Sequence, residues 1–216
     1  MTQVTKCKYC GFKTPVSKRD VCGSCFVLHE LYEKEEIPRK LYIGCGPSPI
    51  HPQHLEVLGN PEEWTFIDKY VKESHIKNWD GRYLTEIADE SIEHIYSSHT
   101  LEHFEHEHIP EILETWKRKL KVGGKLTINV PNILWALKRL NALEQDGFLD
   151  GYYNTFSGEH GLLSVIYGSQ SHEGEYHKGA FTPVYVEKLL KGYSNVHIET
   201  MEDAHDMGVI VAICQK

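Results

Sequence analysis

Between residues 39 and 132 the apolar positions fall in short runs of strand length, separated by glycine, proline and polar punctuation. Leu41-Tyr42-Ile43 runs straight into Gly44-Cys45-Gly46, the pattern of a buried strand ending in a tight turn. Similar runs at 64–67 (WTFI), 75–79, 92–97 (IEHIYS) and 125–130 (KLTINV) predict further strands, with a short helix near 52–58. Over 109–121 the period changes to that of a helix, and Ile109, Ile112, Leu113, Trp116 and Leu120 share one face. Pro110 suits its first turn, Glu111 and Glu114 its amino end, Lys117, Arg118, Lys119 and Lys121 its carboxyl end, and Gly123-Gly124 its stop. After Pro131-Asn132 comes a long region rich in glycine, tyrosine and histidine, reaching about residue 180. A helix near 184–191 and strands near 195–200 and 208–214 close the chain. Strand-helix alternation with glycine turns predicts an α/β fold built on a doubly wound, mostly parallel sheet.

The first 37 residues read differently and form a separate module, leaving 38–216 as the main domain. Residues 26–36 (FVLHELYEKEE) repeat apolar pairs at helical spacing, a linking helix stopped by Pro38. Ahead of it stand four of the six cysteines, as Cys7-x-x-Cys10 and Cys22-x-x-Cys25. Two such pairs place four thiolates where one Zn²⁺ can be enclosed, and Gly11 and Gly23 permit the tight turns beside the metal. Disulfides are the alternative, but a reducing compartment disfavours them, and so short a segment with little apolar content gains its fold from metal. The pattern resembles a zinc ribbon or zinc knuckle, which implies a structural site with all four ligands from protein.

Charge refines this picture. The net charge of −8 argues against a general duplex-binding surface, yet residues 1–25 carry five bases (Lys6, Lys8, Lys13, Lys18, Arg19) against the single acid Asp20. Protein or nucleic-acid contact through that basic zinc end stays open. The apolar run Val209–Cys214 is far too short to span a bilayer, and MTQVTKCKYC lacks the apolar stretch of a secretory signal, so a cytoplasmic protein without a membrane span is expected. With 216 residues, 40% of them hydrophobic, there is material for one sizeable core and a small appendage.

The glycine loop raises the question of its ligand. A dinucleotide cradle needs a third glycine three places after the second, and Pro49 occupies that position, which disfavours a nicotinamide oxidoreductase. Five segments in order, IGCG (43–46), FID (66–68), Asp80, SSHTLEH (97–103) and LKVGGKLTINVPN (120–132), together resemble the class I S-adenosylmethionine (SAM)-dependent methyltransferases, whose fold is Rossmann-like. The likeness covers about 39–132 and is closest to the broad group acting on small molecules, lipids, quinones and glycans. SAM has no pyrophosphate, so its loop needs only close backbone approach to the amino-acid and ribose portions, which Gly44 and Gly46 allow. The resemblance implies that Cys45 lies in this loop, that Asp68 with Lys69 beside it meets the ribose, that Asp80 and Gly81 border the adenine, and that Ser98 borders the cofactor. Other readings stand beside these: Asp68 as a turn or capping aspartate, Asp80-Gly81 as an ordinary turn, Cys45 and Cys214 as small buried hydrophobes.

On the acceptor side, His99, His103 and His106 are spaced to share one face if helical, with Glu102 close by. His103 as a general base, preferred over His99 because the LEH position recurs in the family, is one reading, and a plain polar or cofactor-lining role another. Histidines four apart can also chelate a metal, although no HExxH pattern occurs. Tyr152, Tyr153, His160, Tyr167, His172, Tyr176 and His177 belong to the long region that in the family covers the acceptor pocket, with His177 the candidate to reach inward. The expected activity is methyl transfer from SAM to a small hydroxylated acceptor, a sugar or sugar-linked molecule among them. A zinc-containing binding or regulatory module with a methyltransferase-like domain is the alternative. Nucleic-acid methylation is another, though no Asn/Asp-Pro-Pro-aromatic motif appears.

Overall fold

The computed structural model describes residues 4–6, 13–15, 38–47, 49–50, 52–145, 162–202 and 208–216. Seven strands make one sheet: β1 (Lys40–Ile43), β2 (Trp64–Ile67), β3 (Ile76–Lys77), β4 (Ile92–Ser98), β5 (Leu120–Pro131), β6 (Ser194–Glu202) and β7 (Gly208–Gln215). Their order is β3-β2-β1-β4-β5-β7-β6. The first five run parallel, β7 lies antiparallel against β5, and β6 pairs antiparallel with β7. The helices are α1 (Pro52–Leu58), α2 (Ile109–Lys119), α3 (Ile133–Gln145), α4 (Leu162–Tyr167) and α5 (Pro183–Leu189). This seven-stranded, mostly parallel sheet with helices is the Rossmann-like architecture expected from the alternation of runs.

Alternating side chains send the parallel strands into two cores. Leu41, Ile43, Ile95, Leu126 and Ile128 pack on the side that receives Ile109, Leu113 and Trp116 of α2. Tyr42, Phe66 and Tyr96 pack on the opposite side with Leu58 of α1. There His54 bridges Tyr96 Oη through Nδ1 at 2.9 Å and Tyr42 Oη through Nε2 at 3.2 Å, fixing α1 to the sheet. The fully buried Trp116 donates from Nε1 to the Gly81 carbonyl at 2.7 Å, so α2 positions the loop that carries Asp80.

Three departures have local causes. The run at 75–79 shrinks to Ile76–Lys77, because beyond it Trp79 N–H turns back to the Lys77 carbonyl at 2.9 Å. Helix α2 stops at Lys119, and Gly123-Gly124 lie inside β5, since Leu120 already pairs with Ile92. The Pro131-Asn132 signal does not open a loop: Asn132 Oδ1 accepts from Leu134 N–H at 3.1 Å and starts α3.

At the amino end, Val4–Lys6 and Lys13–Pro15 pair as an antiparallel ribbon. Cys7, Cys10, Cys22 and Cys25, and the expected linking helix, lie outside the described residues. No helix among the described residues is long and apolar enough to cross a membrane.

Candidate active site

The parallel strands β1, β2 and β4 end at one edge of the sheet, and a cavity of about 630 Å³ opens there. Gly44, Cys45 and Gly46 line it from the turn after β1, and Asp68 and Lys69 from the end of β2. Asp80 and Gly81 enter from the loop beyond β3, and Ser98, His99 and His103 from the end of β4. Topology thus brings together the ten residues of the main domain that the sequence pointed to. A cavity at the carboxyl edge of parallel strands is where open α/β sheets bind ligands, and its size falls in the usual range of about 300–1,000 Å³.

The glycine turn is built by backbone conformation. Gly44 and Gly46 have φ of +67° and +62°, values that disfavour any side chain. A Cβ on Gly44 would overlap Thr100, whereas one on Gly46 would meet nothing within 4 Å. The Gly44 and Cys45 amides donate to the Ile67 carbonyl at 2.8 and 3.2 Å, tying the turn to β2. Asp68 completes the clasp. Its Oδ2 accepts from Gly46 N–H at 3.0 Å, and its Oδ1 from Tyr70 N–H at 2.8 Å and Val71 N–H at 3.0 Å. The capping role weighed for this aspartate is therefore present, and one lone-pair direction remains for a ligand hydroxyl. Burial and the nearby Asp68 charge push the Cys45 thiol well above its usual value, so it acts as a small apolar residue.

Asp80 is already paired. Arg82 meets it from Nε at 2.9 Å and Nη2 at 2.6 Å, and Lys69 Nζ lies 3.2 Å from Oδ2. Burial works against its ionisation, but these hydrogen bonds prevail and hold the carboxyl at about 2. Lys69 thus turns toward Asp80. The partner Arg82 carries no pattern that distinguishes it from any surface arginine, and sequence reading passed over it.

The far side of the cavity is a histidine cluster. The segment 99–108 is two short 3-10 turns, Leu101–His103 and His106–His108, so the three-histidine helical face does not form, and His106 stacks on Tyr185 instead. His99 sits at φ +50°, a conformation rare for non-glycine residues and common at functional sites. Its Nδ1 lies 3.3 Å from Oε1 of Glu102, whose side chain is 1% exposed. Lys178 and Gly179 N–H both donate to the Glu102 carbonyl, at 2.6 and 2.9 Å, and this strap brings His177 against His103 with ring centroids 4.8 Å apart. His177 Nδ1 lies 3.0 Å from the Val165 carbonyl, and burial lowers its pKa, so the ring is neutral near pH 7. The inward reach of His177 came from the long region and depends on strand and strap pairing that no local pattern encodes. Tyr152, Tyr153 and His160 lie outside the described residues.

Residues 41–128, from β1 into β5, match a family model described as a methyltransferase domain. Among solved structures, a SAM-dependent methyltransferase from Archaeoglobus fulgidus superposes with a TM-score of 0.55 at 17% identity, over 88% of this chain and 93% of that one. Another from Methanosarcina mazei gives 0.53 at 18% identity, over 88% and 96%. No curated protein matches the chain. Residues 41–128 thus resemble a methyltransferase domain, and the chain shares the fold of these two enzymes.

Proposed function

We propose that the protein transfers the methyl group of SAM to a small hydroxylated acceptor, a class that includes sugars and sugar-linked molecules. The observation that carries this reading is the two-ended cavity: a glycine turn and strand-end carboxylate at one end, a histidine–glutamate cluster at the other. The turn at Gly44, with Asp68 as its clasp, has the close backbone approach that the amino-acid and ribose portions of SAM require. Asp80 and Gly81 border the adenine in this reading, and Cys45, Lys69 and Ser98 line the same pocket.

Of the two histidines singled out, His99 is the better base, because Glu102 stands behind its Nδ1 and stabilises the charge gained on proton uptake. The acceptor hydroxyl gives its proton to His99 Nε2 while its oxygen attacks the methyl carbon. The S–CH₃ bond breaks with its electron pair going to sulfur, leaving a methyl ether and S-adenosylhomocysteine. His103 lines the acceptor side. At the amino end, Cys7, Cys10, Cys22 and Cys25 are proposed to hold a structural Zn²⁺, supported by their spacing alone. A panel of sugars and sugar-linked alcohols with methyl-labelled SAM tests the reading. Label should move to a hydroxyl acceptor, and His99→Ala should slow transfer by about 10²- to 10⁴-fold while leaving S-adenosylhomocysteine binding intact. Unchanged turnover in His99→Ala would remove it as the base, and label found only on amines would overturn the hydroxyl class.

A further inference from the structure

We propose that Glu102, His103 and His177 form a binding site for a divalent transition-metal ion, with Zn²⁺ the best fit, at the acceptor end of the cavity. One ligand atom from each of the three lies within 4.8 Å of the others. Around a single Zn²⁺, at about 2.0–2.2 Å per ligand, such atoms stand nearly 3.5 Å apart, so side-chain adjustment suffices to close them on the ion. Two imidazoles and one carboxylate, with a further position left open, make a donor set suited to zinc and to neighbouring first-row ions.

Two independent observations point to an ion. First, both histidines are set up as ligands: His103 Nδ1 lies 3.3 Å from the Tyr176 carbonyl and His177 Nδ1 3.0 Å from the Val165 carbonyl. A ring that donates its Nδ1 proton to a carbonyl carries the lone pair on Nε2, the arrangement that orients metal-binding histidines. Second, Glu102 is a carboxylate 1% exposed whose side-chain partner among the described residues is His99, with Nδ1 3.3 Å from Oε1, while Oε2 has none. Its strongest polar contact is the ion-pair approach of His99, and two oxygens let it face His99 and an ion together. A buried carboxylate oxygen left without a partner costs free energy unless a cation compensates it. His103 and His177 line the cavity, so the open position of the ion faces the bound acceptor.

The role follows if the methyltransferase reading holds: the ion would orient an acceptor oxygen beside His99, which keeps its own place as proton acceptor. The binding itself does not depend on that reading. The test is metal content of the full chain after loading with Zn²⁺ and exhaustive dialysis, for wild type, His177→Ala and Glu102→Gln, with a cooperative thermal unfolding transition of each as a check on folding and S-adenosylhomocysteine titrated into wild type as a check on the role. Wild type should retain one more equivalent of zinc than either variant, because any zinc on the four cysteines is common to all three. Zinc affinity at this site should fall about 100-fold or more, since changes merely behind a ligand cost about 10- to 100-fold. Should either variant fail to fold, His103→Gln serves in its place under the same expectation. Equal zinc in wild type and a folded variant would overturn the site. Loss of the extra equivalent in variants that still unfold cooperatively supports it, whereas a wild type that holds the extra zinc but binds no S-adenosylhomocysteine keeps the site and removes only the role.

Discussion

Gly44 and Gly46 share a left-handed backbone but differ in what surrounds them, and the difference is measurable. Each pays the cost of about 1–2 kcal/mol when a side chain is forced into positive φ. Only at Gly44 does the new methyl also collide, with the β-branched Thr100 whose Oγ1 is held against the Ile43 and Ser98 carbonyls at 3.1 Å. Gly44→Ala should therefore lower the urea midpoint clearly more than Gly46→Ala, and equal effects would mean that the turn relaxes around Thr100. The glycines were legible in the sequence because a strand followed by glycine has few uses, and Asp68 because of its place after the next strand. The inward reach of His177 was legible from its place in the long region, whereas Arg82 and the buried setting of Glu102 were not, since their roles come from the local fold and from partners distant along the chain.

At the scale of elements, His94 shows how strand register sets a titration. On β4 it stands opposite Lys40 of β1 and Lys125 of β5, with its Nε2 2.9 Å from Thr127 Oγ1 and its ring 4.8 Å from that of Trp64. Burial, then the two lysines, depresses its pKa from 6.5 to about 3. Between those values the unfolded chain holds a proton that the native state does not, so this contribution is complete above about pH 6.5 and is lost as pH falls toward 3. At about 1.4 kcal/mol per pK unit the loss amounts to several kcal/mol. Acid unfolding of His94→Gln should show a shallower slope in that window, and a slope equal to wild type would locate the acid sensitivity elsewhere. Most elements were readable because buried strands give continuous apolar runs and α2 a clear helical face. Helix α3 was not: Leu134 and Leu137 are exposed while Ala136 is buried, which blurs its periodicity.

For the whole molecule, the parallel sheet gathers residues from turns far apart in the chain onto one edge, and the strap at 176–179 closes the far end of the cavity over them. The architecture followed from the order of runs, whereas the antiparallel β7-β6 edge follows from pairing that period alone does not reveal. The central claim is that this edge holds SAM, and calorimetric titration of the full chain and of Asp68→Ala with S-adenosylhomocysteine, with NAD as comparison, tests it most directly. Wild type should bind S-adenosylhomocysteine at one site and ignore NAD. Asp68→Ala should bind more weakly by about 2 kcal/mol, the scale of a lost charge-assisted hydrogen bond. No heat with S-adenosylhomocysteine, or tighter binding of NAD, would contradict the account.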